Sequence, residues 1–157
     1  MKKIKVLVLA YLMFIGLGSI KAYAHCEIPC GIYNDKARVE LMYEHIQTIE
    51  KSMKLIIELS AAEKPDYNQL VRWINNKEEH ANKLQTIATQ YFMFQRVKVS
   101  EDPAVRAKSM KQLELLHKIC VYAMQAKQST NIEMIKKLND TVHDFSHEYL
   151  GEVEHKH

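Results

Sequence analysis

The sequence predicts an all-α protein built as a four-helix bundle after a short N-terminal segment. Two observations predict the bundle. No glycine occurs between Gly31 and Gly151, and the only prolines in that span are Pro65 and Pro103, so the chain has few places to turn. Apolar side chains also recur at helical spacing in four blocks that short polar segments separate.

The predicted helices span about residues 35–62, 66–97, 102–127 and 129–151. Asn34 or Asp35 caps the first, the second is long enough to bend, and Ser129 or Thr130 starts the fourth. The stripes predicted to face the core include Val39, Ile46, Ile57, Ile74, Leu84, Tyr91, Val105, Met110, Leu116, Val142 and Phe145. Met53, Met93, Met110 and Met124 are interpreted as core residues rather than copper ligands.

Residues 1–24 have the three parts of a secretory signal peptide. Three early lysines form a positive start, residues 6–17 are apolar, and Ala22-Tyr23-Ala24 matches a cleavage site. The apolar run is shorter than the roughly 20 residues that a membrane-spanning helix needs. We therefore expect cleavage after Ala24, export to a periplasm or the cell exterior, and no membrane anchor in the mature protein.

Cleavage changes the charge balance and limits the partners. Four of the 22 basic side chains lie in residues 1–24, which contain no acid, so 18 would remain against 19 acidic ones. The net charge falls from +3 to about −1, which removes the argument for a nucleic-acid partner. Cys26, Cys30 and Cys120 allow at most one intramolecular disulfide, which excludes a disulfide scaffold.

Cleavage also places His25 at the mature N-terminus, directly before Cys26. The His25 amine, the Cys26 amide and the Cys26 thiolate can close two chelate rings on one metal ion. Pro29 and Gly31 favour a turn that returns the Cys30 thiolate to the same ion, with the His25 imidazole as an axial donor. Planar nitrogen and sulfur donors suit nickel(II) or copper(II) better than a structural zinc ion. The hexapeptide His25 to Cys30 is therefore predicted to form an N-terminal metal site.

The nine residues His25-Cys26-Glu27-Ile28-Pro29-Cys30-Gly31-Ile32-Tyr33 resemble the nickel hook of nickel-containing superoxide dismutases. The resemblance implies one nickel ion per chain, bound by the His25 amine and imidazole, the Cys26 amide and thiolate, and the Cys30 thiolate. It places Tyr33 beside the open face of the metal, where it orders water or limits access. It also implies a four-helix bundle, as the periodicity does independently, and a homohexamer.

Beyond the hook, the resemblance is weaker and concerns the surroundings of the metal. Residues 37–40 are similar to the start of the family's first helix, which makes Glu40 the candidate partner of the axial imidazole. Aligning residues 76–80 puts His80 where the family often has an arginine. The segment Gln90-Tyr91-Phe92 resembles one that places a further aromatic residue near the site.

The function implied is a nickel-dependent superoxide dismutase, an oxidoreductase that converts superoxide to oxygen and hydrogen peroxide. A ping-pong cycle is expected, in which nickel(III) oxidises one superoxide and nickel(II) reduces a second. One alternative is an exported metal-binding or metal-delivery protein without turnover, which would use the same donors and the His-containing tail, residues 152–157. Another is a helical interaction module with a Cys26–Cys30 disulfide and no metal.

The remaining cysteine and histidines receive structural interpretations. Cys120 lies on an apolar face and is predicted to be a buried free thiol. His143 and His147 lie one turn apart on a predicted solvated face, because no third ligand is evident. His45 and His117 are interpreted as structural or surface residues.

Overall fold

The structure is a computed structural model that describes residues 33–151, within which all regular structure is helical. The helices are α1 (Asp35–Ser60), α2 (Tyr67–Thr86), α3 (Pro103–Gln128) and α4 (Glu133–Leu150), and a π-helix (Ile87–Met93) continues α2. The predicted four-helix bundle is confirmed for this range. The predicted signal peptide, most of the hook and the tail lie outside the described residues.

Contacts between helices give the bundle an up-down-up-down order. α1 packs against α2 and α4, and α3 packs against α2 and α4, so the four helices close a ring. Polar contacts also join neighbouring helices. They link Asn76 to Ser52, Gln85 to the Cys120 carbonyl, and Lys111 to Glu148. None of the described helices is long and apolar enough to cross a membrane.

The core is apolar along most of the bundle. Its fully buried side chains include Val39, Met42, Ile46, Ile49, Met53, Leu84, Phe92, Leu116, Ile119, Leu138, Val142 and Phe145. The core prediction was wrong for Ile57, Ile74, Val105, Met110 and Met124, which are all exposed. In α3 the buried face instead runs through Ser109, Gln112 and Leu116, so two polar residues occupy the inward positions near the start of this helix.

Two helix boundaries differ from the sequence prediction. The fourth helix starts at Glu133, because Asn131 accepts a hydrogen bond from the Glu133 amide while the Ser129 hydroxyl still bonds to α3. The second helix does not simply bend but widens into the π-helix, where the Phe94 amide donates to the carbonyl of Thr89, five residues earlier. Asn34, the first of the two predicted candidates, is the N-cap of α1.

A buried lysine joins α2 to the end of α3. Lys77 is 5% exposed, and its ammonium donates to the carbonyl oxygens of Lys127 at 2.6 Å and Ser129 at 3.0 Å. These two acceptors lie at the C-terminal end of α3, where carbonyl groups lack partners within the helix and favour a cation.

We expect Lys77→Met to lower the free energy of unfolding by about 1–3 kcal/mol, because it leaves two carbonyl groups without their charged donor. Urea denaturation monitored by circular dichroism measures this loss, with Lys136→Met on an exposed face as the matched control. Equal stability of the two variants would contradict the capping role.

Candidate active site

The predicted metal ligands His25, Cys26 and Cys30 lie outside the described residues. Within residues 33–151, no group of three or more His, Cys, Asp or Glu side chains is placed to hold a metal ion. Tyr33 is the residue of the predicted hook that the structure describes, and it lies two residues before α1. Tyr33 and the side chains that contact it therefore form the described surroundings of the predicted metal site.

Tyr33 packs against a cation and a second aromatic ring. The guanidinium carbon of Arg96 lies 4.3 Å from the centroid of the Tyr33 ring, and the Tyr91 ring meets it edge-on at 6.2 Å. A cation over an aromatic face contributes about 0.5–1 kcal/mol at a partly exposed site. These contacts fix the point at which the hook joins the bundle.

Asp35 holds both of those partners in place. Its carboxylate accepts hydrogen bonds from the Tyr91 hydroxyl at 2.6 Å, the Tyr149 hydroxyl at 2.9 Å and the Arg96 Nη2 at 2.7 Å. The Arg96 Nε donates to the same carboxylate, so the guanidinium engages it with two nitrogens. We call Asp35, Tyr91, Arg96 and Tyr149 the Asp35 cluster.

The hydrogen bonds of the cluster shift the acidity of its members. Burial raises the pKa of Asp35, but the hydrogen bonds from Arg96, Tyr91 and Tyr149 outweigh it, so the pKa lies below its ordinary value. Burial and the hydrogen bond to Asp35 raise the pKa of Tyr91 and of Tyr149 to about 12. At neutral pH the cluster therefore consists of one carboxylate, one guanidinium and two neutral phenols.

The π-helix brings Tyr91 into this cluster. Tyr91 and Phe92 are consecutive and both buried, and their rings meet edge-on at 4.9 Å. Phe92 fills the core against Phe145 and Tyr149, whereas Tyr91 reaches Asp35. Two adjacent aromatic side chains of the π-helix therefore point in different directions. Phe92 packs in the core, and Tyr91 hydrogen-bonds to Asp35.

His80 and Glu40, the predicted partners of the axial imidazole, have different contacts. The Nδ1 atom of His80 lies 3.0 Å from the Nδ1 atom of His45 on α1, so the two imidazoles share one hydrogen bond. Glu40 is exposed, and its carboxylate pairs with Lys36 one turn earlier at 3.9 Å. The sequence analysis missed His45 as the partner of His80, and the predicted roles of Glu40 and His80 toward the metal stay predictions.

Acid is expected to destabilise the fold through His45. Burial, followed by repulsion from His80 and Lys83, lowers the pKa of His45 to about 4, whereas an unfolded histidine titrates near 6.5. The unfolded chain thus binds more protons between these values, so stability is complete above pH 6.5 and falls as the pH approaches 4.

For nickel-free protein, we expect the free energy of unfolding to fall by about 1–2 kcal/mol between pH 7 and pH 5. Denaturant titrations at several pH values measure the slope. His45→Gln is expected to flatten it, whereas His117→Gln on an exposed surface keeps it. A slope that His45→Gln leaves unchanged would contradict the assignment to this histidine.

Comparison with known proteins decides the family. The family model of nickel-containing superoxide dismutases matches residues 20–152, which include the whole predicted hook and the bundle. The chain belongs to the nickel-containing superoxide dismutase family. It is therefore an oxidoreductase that acts on superoxide and uses nickel as its cofactor. Comparisons with curated proteins and with solved structures returned no match.

The structure also describes the other cysteine and histidines of this nickel-containing superoxide dismutase within residues 33–151. Cys120 is a free thiol as predicted, although it is only partly buried, and this burial raises its pKa. His143 and His147 are exposed, with ring centroids 6.3 Å apart, as expected for a solvated face. His117 is also exposed.

Proposed function

We propose that cleavage after Ala24 exposes His25, and that His25, Cys26 and Cys30 hold the nickel ion of this dismutase. The observation that carries the proposal is the position of the hexapeptide His25-Cys26-Glu27-Ile28-Pro29-Cys30 directly after a cleavage pattern, inside the range that matches the family. Its donors are an amine, an amide, an imidazole and two thiolates. This set suits a square-planar or five-coordinate nickel ion.

The bound nickel would supply a Ni(II)/Ni(III) couple that accepts an electron from one superoxide and returns it to another. The protein residues have simpler tasks. The thiolates and the amide would donate charge to the metal, and the His25 imidazole would be a further ligand. Tyr33 orders water near the metal or limits access to it, and its position against Arg96 supports such a role.

Glu40 and His80 are proposed to orient the axial imidazole. Glu40 lies on α1 and His80 lies on α2, and these are the two helices that pack together most extensively. Because His80 shares a hydrogen bond with His45, one of its two ring nitrogens is already engaged, and the other remains for a second partner. A histidine held in this way replaces the arginine that the family often has at this position.

Export and assembly complete the proposal. Removal of residues 1–24 would release the mature enzyme into a periplasm or the cell exterior. A homohexamer is proposed from the family resemblance. Tyr67, Val71 and Ile74 support self-association, because they leave an exposed apolar stripe with spacings of four and three residues along α2.

The test is nickel analysis and a superoxide dismutase assay on protein that begins at His25 and is reconstituted with nickel under reducing conditions. We expect about one nickel ion per chain and full activity, with both lost in Cys26→Ser. Cys120→Ser is the matched control, since Cys120 lies on α3, and should keep both. Nickel without activity would favour the metal-delivery function, and nickel retained by Cys26→Ser would contradict the ligand assignment.

A further inference from the structure

A cavity of about 500 Å³ opens beside the Asp35 cluster. Its wall is formed by the segment after the π-helix, the first turns of α3 and the end of α4. Arg96 lines this cavity and also contacts Tyr33, so the cavity lies next to the last residue of the predicted hook.

The wall of the cavity carries excess positive charge. Arg96, Lys98 and Lys108 supply three cations, and Asp35 supplies the one carboxylate among the lining residues. Arg96 engages that carboxylate with two nitrogens, so these two charges already compensate each other. Lys98 and Lys108 form no ion pair with any residue in the range 33–151. The positive charges of Lys98 and Lys108 are therefore left to interact with a ligand.

Two buried polar side chains also line the cavity. Ser109 and Gln112 are 8% and 6% exposed, and they lie one turn apart on the inward face of α3. Neither side chain hydrogen-bonds to another residue of the described chain. Their polar atoms stay accessible from the cavity, because the one buried side-chain atom without a partner among the described residues is Oε1 of Gln95. A hydroxyl and an amide that face a positively charged cavity are suitable donors to an anion.

We propose that this cavity binds a small molecule that carries a phosphate group. Lys98 and Lys108 would neutralise the phosphate, and Ser109 and Gln112 would donate hydrogen bonds to its oxygens. Two uncompensated cations favour a dianion over a singly charged carboxylate. The volume exceeds that of inorganic phosphate, which leaves room for a small organic group. The site is separate from nickel and superoxide chemistry, and it goes beyond the proposed function.

The test titrates inorganic phosphate into nickel-free protein that begins at His25, at constant ionic strength, and follows backbone amide shifts by NMR. We expect saturable shifts concentrated in residues 96–98 and 105–112. The double variant Lys98→Gln/Lys108→Gln should weaken phosphate binding at least tenfold. The matched control Lys64→Gln/Lys136→Gln changes two exposed lysines elsewhere on the bundle and should leave binding unchanged.

Three outcomes would overturn the proposal. They are shifts that fail to saturate, equal binding by the double variant and the wild type, and acetate binding as tightly as phosphate. Because Ser109 and Gln112 are largely buried, the test uses only variants of exposed lysines, and circular dichroism checks that these variants fold. The measurement needs no nickel, so a failure of the hook assignment would leave its result interpretable.

Discussion

A protein that keeps even one residue ahead of His25 is expected to fold as the same bundle and to lack dismutase activity. The extra residue converts the His25 amine into an amide and removes the donor that only a chain terminus offers. It also displaces the imidazole from its axial position. The described bundle begins after the hook, so its stability should not depend on the extension.

The comparison uses two proteins, one starting at His25 and one with a single glycine before it. Nickel content and superoxide consumption are measured beside thermal unfolding. A third protein with one glycine added after His157 is the matched control, and it should be fully active. Full activity of the N-terminally extended protein would show that the His25 amine is not a ligand.

Replacing Asp35 with alanine is expected to lower the free energy of unfolding by about 2–4 kcal/mol, because it leaves a partly buried guanidinium and two phenols without their shared acceptor. The Arg96 and Asp35 side chains are 29% and 19% exposed, so their interaction is only partly screened by solvent. Asn34 still caps α1 in this variant. The loss of the first-turn carboxylate at the start of α1 accounts for only about 0.3–1 kcal/mol, so most of the effect reports on the cluster.

Denaturant unfolding at pH 7 measures this effect, with Asp140→Ala on an exposed face of α4 as the control. The pH dependence gives a second check. The folded pKa of Asp35 lies below the unfolded value of about 3.9, so the contribution is complete above that value and disappears as the pH falls further. The difference in the free energy of unfolding between the wild type and Asp35→Ala should therefore become smaller in acid. A stability equal to that of Asp140→Ala would contradict the role of Asp35.

The fold was predictable from sequence because the bundle is encoded locally. The scarcity of glycine and the four apolar stripes predict helices without reference to any distant residue. Predicting burial was harder, because a stripe shows which residues are apolar but not which face meets a neighbour. In α3, Ser109 and Gln112 take inward positions beside the cavity, whereas the apolar Val105 and Met110 are exposed.

In the candidate site, too, features formed by adjacent residues were predicted, whereas those formed by residues distant in sequence were mostly missed. The hook was predicted because its donors are adjacent in sequence. It stays a prediction, since its ligands lie outside the described residues, although the family match covers them. Of the Asp35 cluster, only the segment that contains Tyr91 was predicted to lie near the site. Asp35 was considered only as an N-cap, and Arg96 and Tyr149 are distant from it in sequence. The His45–His80 pair was missed for the same reason, because 35 residues separate the two histidines.

The distance between Asp35 and its partners also bears on the order of folding. Its hydrogen bonds to Tyr91, Arg96 and Tyr149 span 56, 61 and 114 residues. Contacts of such long range must overcome a larger loop-closure entropy than local helical contacts. During synthesis, moreover, Tyr149 emerges only after nearly the whole chain has been made. We therefore expect the contacts that hold Tyr33 to be completed late, once the last helix has docked, although Tyr33 itself is among the first residues of the bundle to be translated.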